Sequence, residues 1–231
     1  MKQLLKPWMA LLLAATIAAY FFADRPLCEF IYNHAVPQHL MDFLKKMLSL
    51  PFFINEHSLI QRSNLLSQLL DWPPLMSGLS PFLLLLGVLL KPGKAKDLLI
   101  FMGISILLTF VLKNDLKWIF SRNWPVTWTN NNLSWISNHA YGFHWFSGKI
   151  FQGDDTTGSF PSGHTAVAFA TLLPIGLLYR RALPFCILLA SLEGLAMILC
   201  DYHFLSDVLA GALVGIICAF AAKSALQREN L

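Results

Sequence analysis

Apolar residues collect in six runs, at about residues 8–23, 74–90, 98–112, 165–178, 183–200 and 204–222. A helix of roughly 20 apolar residues crosses a bilayer unaided, and several of these runs are shorter, so their polar flanks complete the spans. The pattern predicts an all-α, polytopic membrane protein with about six transmembrane helices. The first run follows Lys2 and Lys6 and has no small-x-small cleavage site after it, so it reads as an uncleaved anchor rather than a signal peptide. Either reading keeps the N-terminus in the cytoplasm.

Basic residues orient the helices. They cluster at 1–6, at 91–96 (KPGKAK), at Arg180–Arg181 and at 223–228, which are alternate connections in a six-helix scheme and belong on the cytoplasmic side. The connections 24–72, 117–161 and 201–203 then face outward. Segment 24–72 is less apolar and contains Pro26, Pro37 and Pro51; within it, 39–50 and 58–70 have helical periodicity with one apolar face and read as short interfacial helices. The chain thus forms one domain, with an anchor and surface helices over 1–74 and a helical core over 75–231. The second outward segment is rich in aromatic, Asn, Gly and Ser residues, and a connection of that length is usually functional.

Composition agrees. Hydrophobic residues make up 56% of the chain and charged residues 13%, against roughly a quarter charged in soluble domains. The net charge of +4 is small and scattered, which excludes a nucleic-acid partner and leaves the lipid bilayer as the surroundings. Cys28, Cys186, Cys200 and Cys218 have no metal-ligand spacing and read as small buried hydrophobes. No pattern specifies an oligomeric state.

Three polar islands lie on the outward side at the edges of apolar runs: KWIFSRNWP at 117–125, SFPSGHT at 159–165 and DYHFLSD at 201–207. His203 and Asp207 are four residues apart and share a helix face; a carboxylate there fixes the imidazole tautomer and stabilises the cation formed when the other nitrogen attacks. The plainer reading of the pair is an interfacial ion pair closing a helix end. Pro161-Ser162-Gly163-His164 opens an apolar helix, whose first N–H groups and dipole suit a phosphate. Ser162 caps that helix, Gly163 allows close approach to the backbone, and His164 is placed to donate a proton; the plainer reading is a capped helix with an incidental histidine. Lys117 and Arg122 supply cations for phosphate oxygens, or serve only as snorkelling anchors. Gly211 and Gly215 have the spacing of close helix packing. Trp124, Trp128, Trp135 and Trp145 suit an interfacial aromatic belt, and Asp154 and Asp155 read as solvated loop charges.

In this order and between apolar helices, the islands resemble the type 2 phosphatidic acid phosphatase superfamily, over about residues 75–222. Pro161–His164 and His203–Asp207, continued by Val208-Leu209-Ala210-Gly211, are full matches. The resemblance implies that His203 attacks phosphorus, Asp207 orients it, His164 protonates the leaving oxygen, and Lys117, Arg122, Ser162 and the Gly163 backbone hold phosphate. It implies no metal and no cofactor. Two arginines of the family pattern are replaced, one by Trp124 before Pro125 and one by Met197, six residues before His203. The accompanying Ser121–Pro125, Tyr141–His144 and Asp201–Asp207 segments look like a bacterial branch that carries these changes together, in a rebuilt site to which His144 or Lys113 brings a replacement contact. The expected reaction is hydrolysis of a lipid-linked phosphate or pyrophosphate at the outer, periplasmic face of a bacterial inner membrane. A lipid phosphotransferase using the same site and a catalytically inactive membrane binding protein are the alternatives.

Overall fold

The computed structural model describes residues 2–34, 72–127, 132–146 and 157–229. The surface helices expected at 39–50 and 58–70, Trp128 and the Asp154–Asp155 pair lie outside them. Helix α1 (Lys2–Ala18) runs through a π-helical turn (Ala19–Ala23) into α2 (Asp24–Asn33). There follow α3 (Trp72–Leu89), α4 (Lys94–Phe120), the single turn α5 (Trp135–Asn138), α6 (Gly163–Leu178), α7 (Leu183–Leu199) and α8 (Leu205–Glu229), with no strand among the described residues.

Five stretches are long and apolar enough to cross a membrane: Pro7–Asn33, Trp72–Leu89, Lys94–Phe120, Arg180–Leu199 and Leu205–Gln227. The sixth apolar helix, α6, has only 16 residues. It is the central element, buried along most of its length from Thr165 to Leu177, and its neighbours rather than lipid surround it. The outer helices keep Leu13, Phe82, Leu89 and Leu188 exposed, as a lipid-facing surface requires.

Two spans overrun their apolar patterns. The first continues past residue 23 to Asn33, because Asp24 is buried against Arg122 instead of seeking water. Helix α4 continues past Leu112 to Phe120, so that Lys113 and Lys117 stand one turn apart on the same helix.

Two internal prolines are accommodated by borrowed donors, as a helix in lipid demands. Pro174 in α6 has no N–H for the Ala170 carbonyl, and Ser105 Oγ of α4 donates to that oxygen at 2.8 Å. Pro81 in α3 likewise orphans the Ser77 carbonyl, which accepts from Ser80 Oγ at 2.8 Å.

Gly211 of α8 packs against the start of α6. A Cβ there would lie 2.5 Å from the Ser162 carbonyl oxygen and 3.2 Å from Thr165 Cβ. Gly211→Val is expected to destabilise the protein by about 1–3 kcal/mol through overpacking, read as a lower unfolding temperature in detergent; an unchanged temperature would contradict this close approach.

The basic connections gather at one end of the bundle. Asp97 and Lys223 line one small cavity with Leu178, and Arg180 shares another with Trp8. The polar islands meet at the opposite end.

Candidate active site

Three local devices bring the islands together. Helix α4 ends at Ser121, whose left-handed backbone (φ 42°) lets its N–H reach the Lys117 carbonyl at 2.8 Å and turns Arg122 inward. Ser162 is the N-cap of α6: its Oγ accepts from Thr165 N–H at 3.4 Å, while its own N–H donates to the Asp207 carbonyl at 2.9 Å. At the other end of that contact, Asp207 lies in the first turn of α8 and its Oδ2 accepts the Phe204 N–H at 3.0 Å.

A cavity of about 250 Å³ opens between these segments. Lys113, Lys117, His164, His203 and Gly163 form its polar wall, with Trp124 and Tyr202 beside them and Phe110 and Val167 on the apolar side. The first-turn N–H groups of α6 lack intrahelical acceptors, and they lie at Gly163 and His164, on the cavity wall.

His203 is almost fully buried. Its Nδ1 is 3.5 Å from Asp207 Oδ2 and 3.4 Å from Ser159 Oγ, and Ser159 donates its hydroxyl to the same Asp207 oxygen. With Nδ1 facing the carboxylate, Nε2 is the nitrogen left for chemistry. The imidazole lies between Trp124 (centroids 5.3 Å apart) and the edge-on ring of Tyr202 (5.1 Å). Burial pushes the His203 pKa down to about 4, outweighing the upward pull of Asp207, and the neighbouring Lys117 and His164 act in the same downward direction. The ring is therefore neutral near pH 7, the form in which nitrogen is a nucleophile. His164 meets the edge of Tyr202 at 5.8 Å.

Arg122 does not line the cavity. It is fully buried behind Asp207, with Nη1 on Asp207 Oδ1 and Nη2 2.7 Å from Asp24 Oδ2. Phe204, Tyr20, Tyr141 and Phe143 box its guanidinium at 4.4–5.3 Å. Burial opposes its charge, but Asp207 and Asp24 hold its pKa above the usual value. Ser162 is likewise buried outside the cavity, engaged in capping.

At the two replaced arginine positions the side chains have other work. Trp124 packs on the His203 ring and lies 5.4 Å beneath Lys117 Nζ, so it belongs to the cavity wall rather than to an interfacial belt. Met197 sits in an apolar cluster with Ile31 and Val208, away from the cavity. Of the two replacement candidates, His144 is exposed and outside the cavity, whereas Lys113 lines it, its Cδ 3.6 Å from where a Gly163 Cβ would stand. All four cysteines are buried and none forms a disulfide among the described residues. Ser159, Asp24 and Tyr141 are additions to which the sequence assigned no role; Ser159 lay inside a polar island, Tyr141 in the Tyr141–His144 segment, and Asp24 at the first position after the first apolar run.

A family model for the PAP2 superfamily matches residues 98–231, more than half of the chain. The chain belongs to the PAP2 superfamily. The matched region holds every residue of the cavity wall except Pro74 and Ser77, and leaves α1, α2, α3 and Asp24 outside. This PAP2 protein is also 38% identical over 74 residues to a lipid A 1-phosphatase of Porphyromonas gingivalis, a stretch that covers 30% of the chain and 17% of that relative's length. No solved structure matches it.

Proposed function

We propose that this PAP2 protein hydrolyses the phosphate of a lipid-linked substrate through a phosphohistidine on His203, with no metal required. The observation that carries the reading is one cavity, at the ends of membrane helices, lined by His203 with Asp207 behind it and by His164, Lys113, Lys117 and the N-terminus of α6. His203 Nε2 attacks phosphorus and the bond to the lipid oxygen breaks, while His164 gives its proton to that oxygen. Water then attacks phosphorus, the P–N bond breaks, and the proton lost by water returns to His164 as inorganic phosphate leaves. Lys113 and Lys117 offset the charge on the phosphoryl oxygens, and Lys113 takes over from the replaced arginines. Asp207 stabilises the imidazolium of the intermediate.

A cavity at the outward end of the bundle, where lipid headgroups lie, fits a phosphomonoester or pyrophosphate lipid at the periplasmic face of an inner membrane. Phosphatidic acid, phosphatidylglycerol phosphate, undecaprenyl pyrophosphate and a lipid A phosphate are the candidates. The short likeness to a lipid A 1-phosphatase makes the last of these the first to assay. Detergent-purified protein, given this panel with chelator present, is expected to release inorganic phosphate from at least one lipid; no release from any of them would overturn the reading.

The pH profile follows from burial. A nucleophilic imidazole must be neutral, and the His203 pKa lies below the ordinary imidazole value, so its protonation removes activity only at low pH. The acid limb of kcat/KM, which reports the free enzyme, is expected near pH 4, and a limb from His203 near pH 6.5 would contradict the burial described above.

A further inference from the structure

Behind the nucleophile lies a chain of charges that begins outside the family-matched region. Asp24 is buried, as are Arg122 and Asp207. Arg122 bridges the two carboxylates through different nitrogens. Ser206 locks the Asp24 end: its N–H donates to Asp24 Oδ1 at 2.9 Å, its hydroxyl to Asp24 Oδ2, and Arg122 Nη1 donates to the Ser206 hydroxyl at 2.7 Å. Tyr141 OH adds a contact of 3.2 Å to Asp24 Oδ2. The close partners of the Asp24 oxygens, the Arg122 guanidinium and the Ser206 N–H and hydroxyl, are all donors, which fits an ionised, acceptor-only carboxylate.

The backbone at this point is shaped for the contact. Ahead of Asp24 the first helix widens into the π-turn Ala19–Ala23, and the Asp24 N–H bonds to the Ala19 carbonyl. Such turns insert an extra residue, re-aim side chains and recur at functional sites. Here the turn directs Asp24 and Tyr20 toward Arg122, and the Tyr20 carbonyl accepts from Tyr141 OH at 2.5 Å.

The charges count in a particular way. Asp24 and Asp207 are negative and Arg122 positive, so the buried group carries net −1 while His203 is neutral. A phosphohistidine places a positive imidazolium beside it and brings the sum to zero. Without Asp24, Arg122 would neutralise Asp207 outright and be free to pull its carboxylate away from His203 Nδ1.

We infer that Asp24 is a positioning residue for phosphoryl transfer: by sharing Arg122 it keeps Asp207 aimed at His203 and leaves net negative charge behind the ring. The inference rests on the phosphohistidine reading, and its role is exerted through Arg122 and Asp207, with no contact to substrate.

The test compares Asp24→Asn, Ser206→Ala and His203→Ala with the parent in detergent. It measures kcat and KM for phosphate release from the best lipid of the panel, normalised to protein that elutes as folded. Asp24→Asn is expected to lower kcat by about 10- to 100-fold, by analogy with the loss on removing a hydrogen-bonded partner behind a metal-ligating side chain, with KM within about twofold. Ser206→Ala, which removes the hydroxyl joining Asp24 to Arg122, is expected to lower kcat in the same direction with KM unchanged. It decides the matter if Asp24→Asn yields no folded protein. A purely structural Asp24 would reduce folded yield while leaving kcat per folded molecule at the parent value, and that result, in either variant, overturns the inference. If His203→Ala releases phosphate like the parent, it is the phosphohistidine reading that fails, together with the role built on it. Loss in His203→Ala with parental kcat in Asp24→Asn sinks only the role of Asp24.

Discussion

Arg122→Ala is expected to destabilise this PAP2 protein by about 3–5 kcal/mol, because it leaves two buried carboxylates without their counter-charge. Asp24 and Asp207 are both buried and share this one guanidinium. The loss also empties an aromatic box formed by Tyr20, Tyr141, Phe143 and Phe204, and truncated packing adds to the electrostatic cost. Arg122→Lys is expected to rescue little, since one ammonium on a flexible stem does not reproduce a planar fork that meets two carboxylates at once. Unfolding temperature in detergent, with the yield of folded protein, reads the effect. The comparison separates two roles for the arginine. A phosphate ligand exposed in the cavity would be removable at a cost in activity alone, so a variant with parental stability and a raised KM would contradict the placement of Arg122 behind Asp207.

His203→Ala is expected to reduce phosphate release by about ten-thousandfold or more while leaving the protein folded, as loss of a covalent nucleophile does. The ring is held between Trp124 and Tyr202, and its only polar attachments among the described contacts are to Ser159 and Asp207. Those two retain each other through the Ser159 hydroxyl, and Asp207 keeps Arg122 and the Phe204 N–H. Stability is therefore nearly insulated from the substitution, and chemistry is not. Phosphate release that survives in His203→Ala would remove the nucleophile from the account.

How far the sequence was legible varies by residue, for physical reasons. Helix content and membrane character followed from apolar run length, which depends on local composition alone. The four-residue spacing of His203 and Asp207 marked them as a pair, but they meet across the entry of α8, with His203 in the turn before Leu205 and Asp207 in the first turn, rather than on one helix face. The start of α6 was legible because Pro-Ser-Gly is a helix-entry signal. Helix ends were less so: Asp24 and the Lys113–Lys117 segment looked like the edges of loops. A polar residue ends a membrane helix only when it faces lipid, whereas these face a buried ion pair and a cavity. Arg122 was marked in the sequence as a phosphate ligand, but its direction, away from the cavity, was hidden. That direction depends on the left-handed turn at Ser121 and on a carboxylate 98 residues away, and neither is a local property. Trp124, set down as an interfacial aromatic, is a wall of the cavity for the same reason: composition does not say which neighbour a loop brings to a ring.

The most direct test of the central claim is to trap the covalent intermediate. Purified protein is mixed with a lipid substrate carrying radiolabelled phosphate, quenched in alkaline detergent within the first turnovers and analysed for label on the chain. The account predicts label that withstands alkali, is lost in acid as a P–N bond is, maps to the peptide containing His203 and is absent from His203→Ala. Turnover of the same lipid without any such label, or label that stays when His203 is replaced, would contradict it.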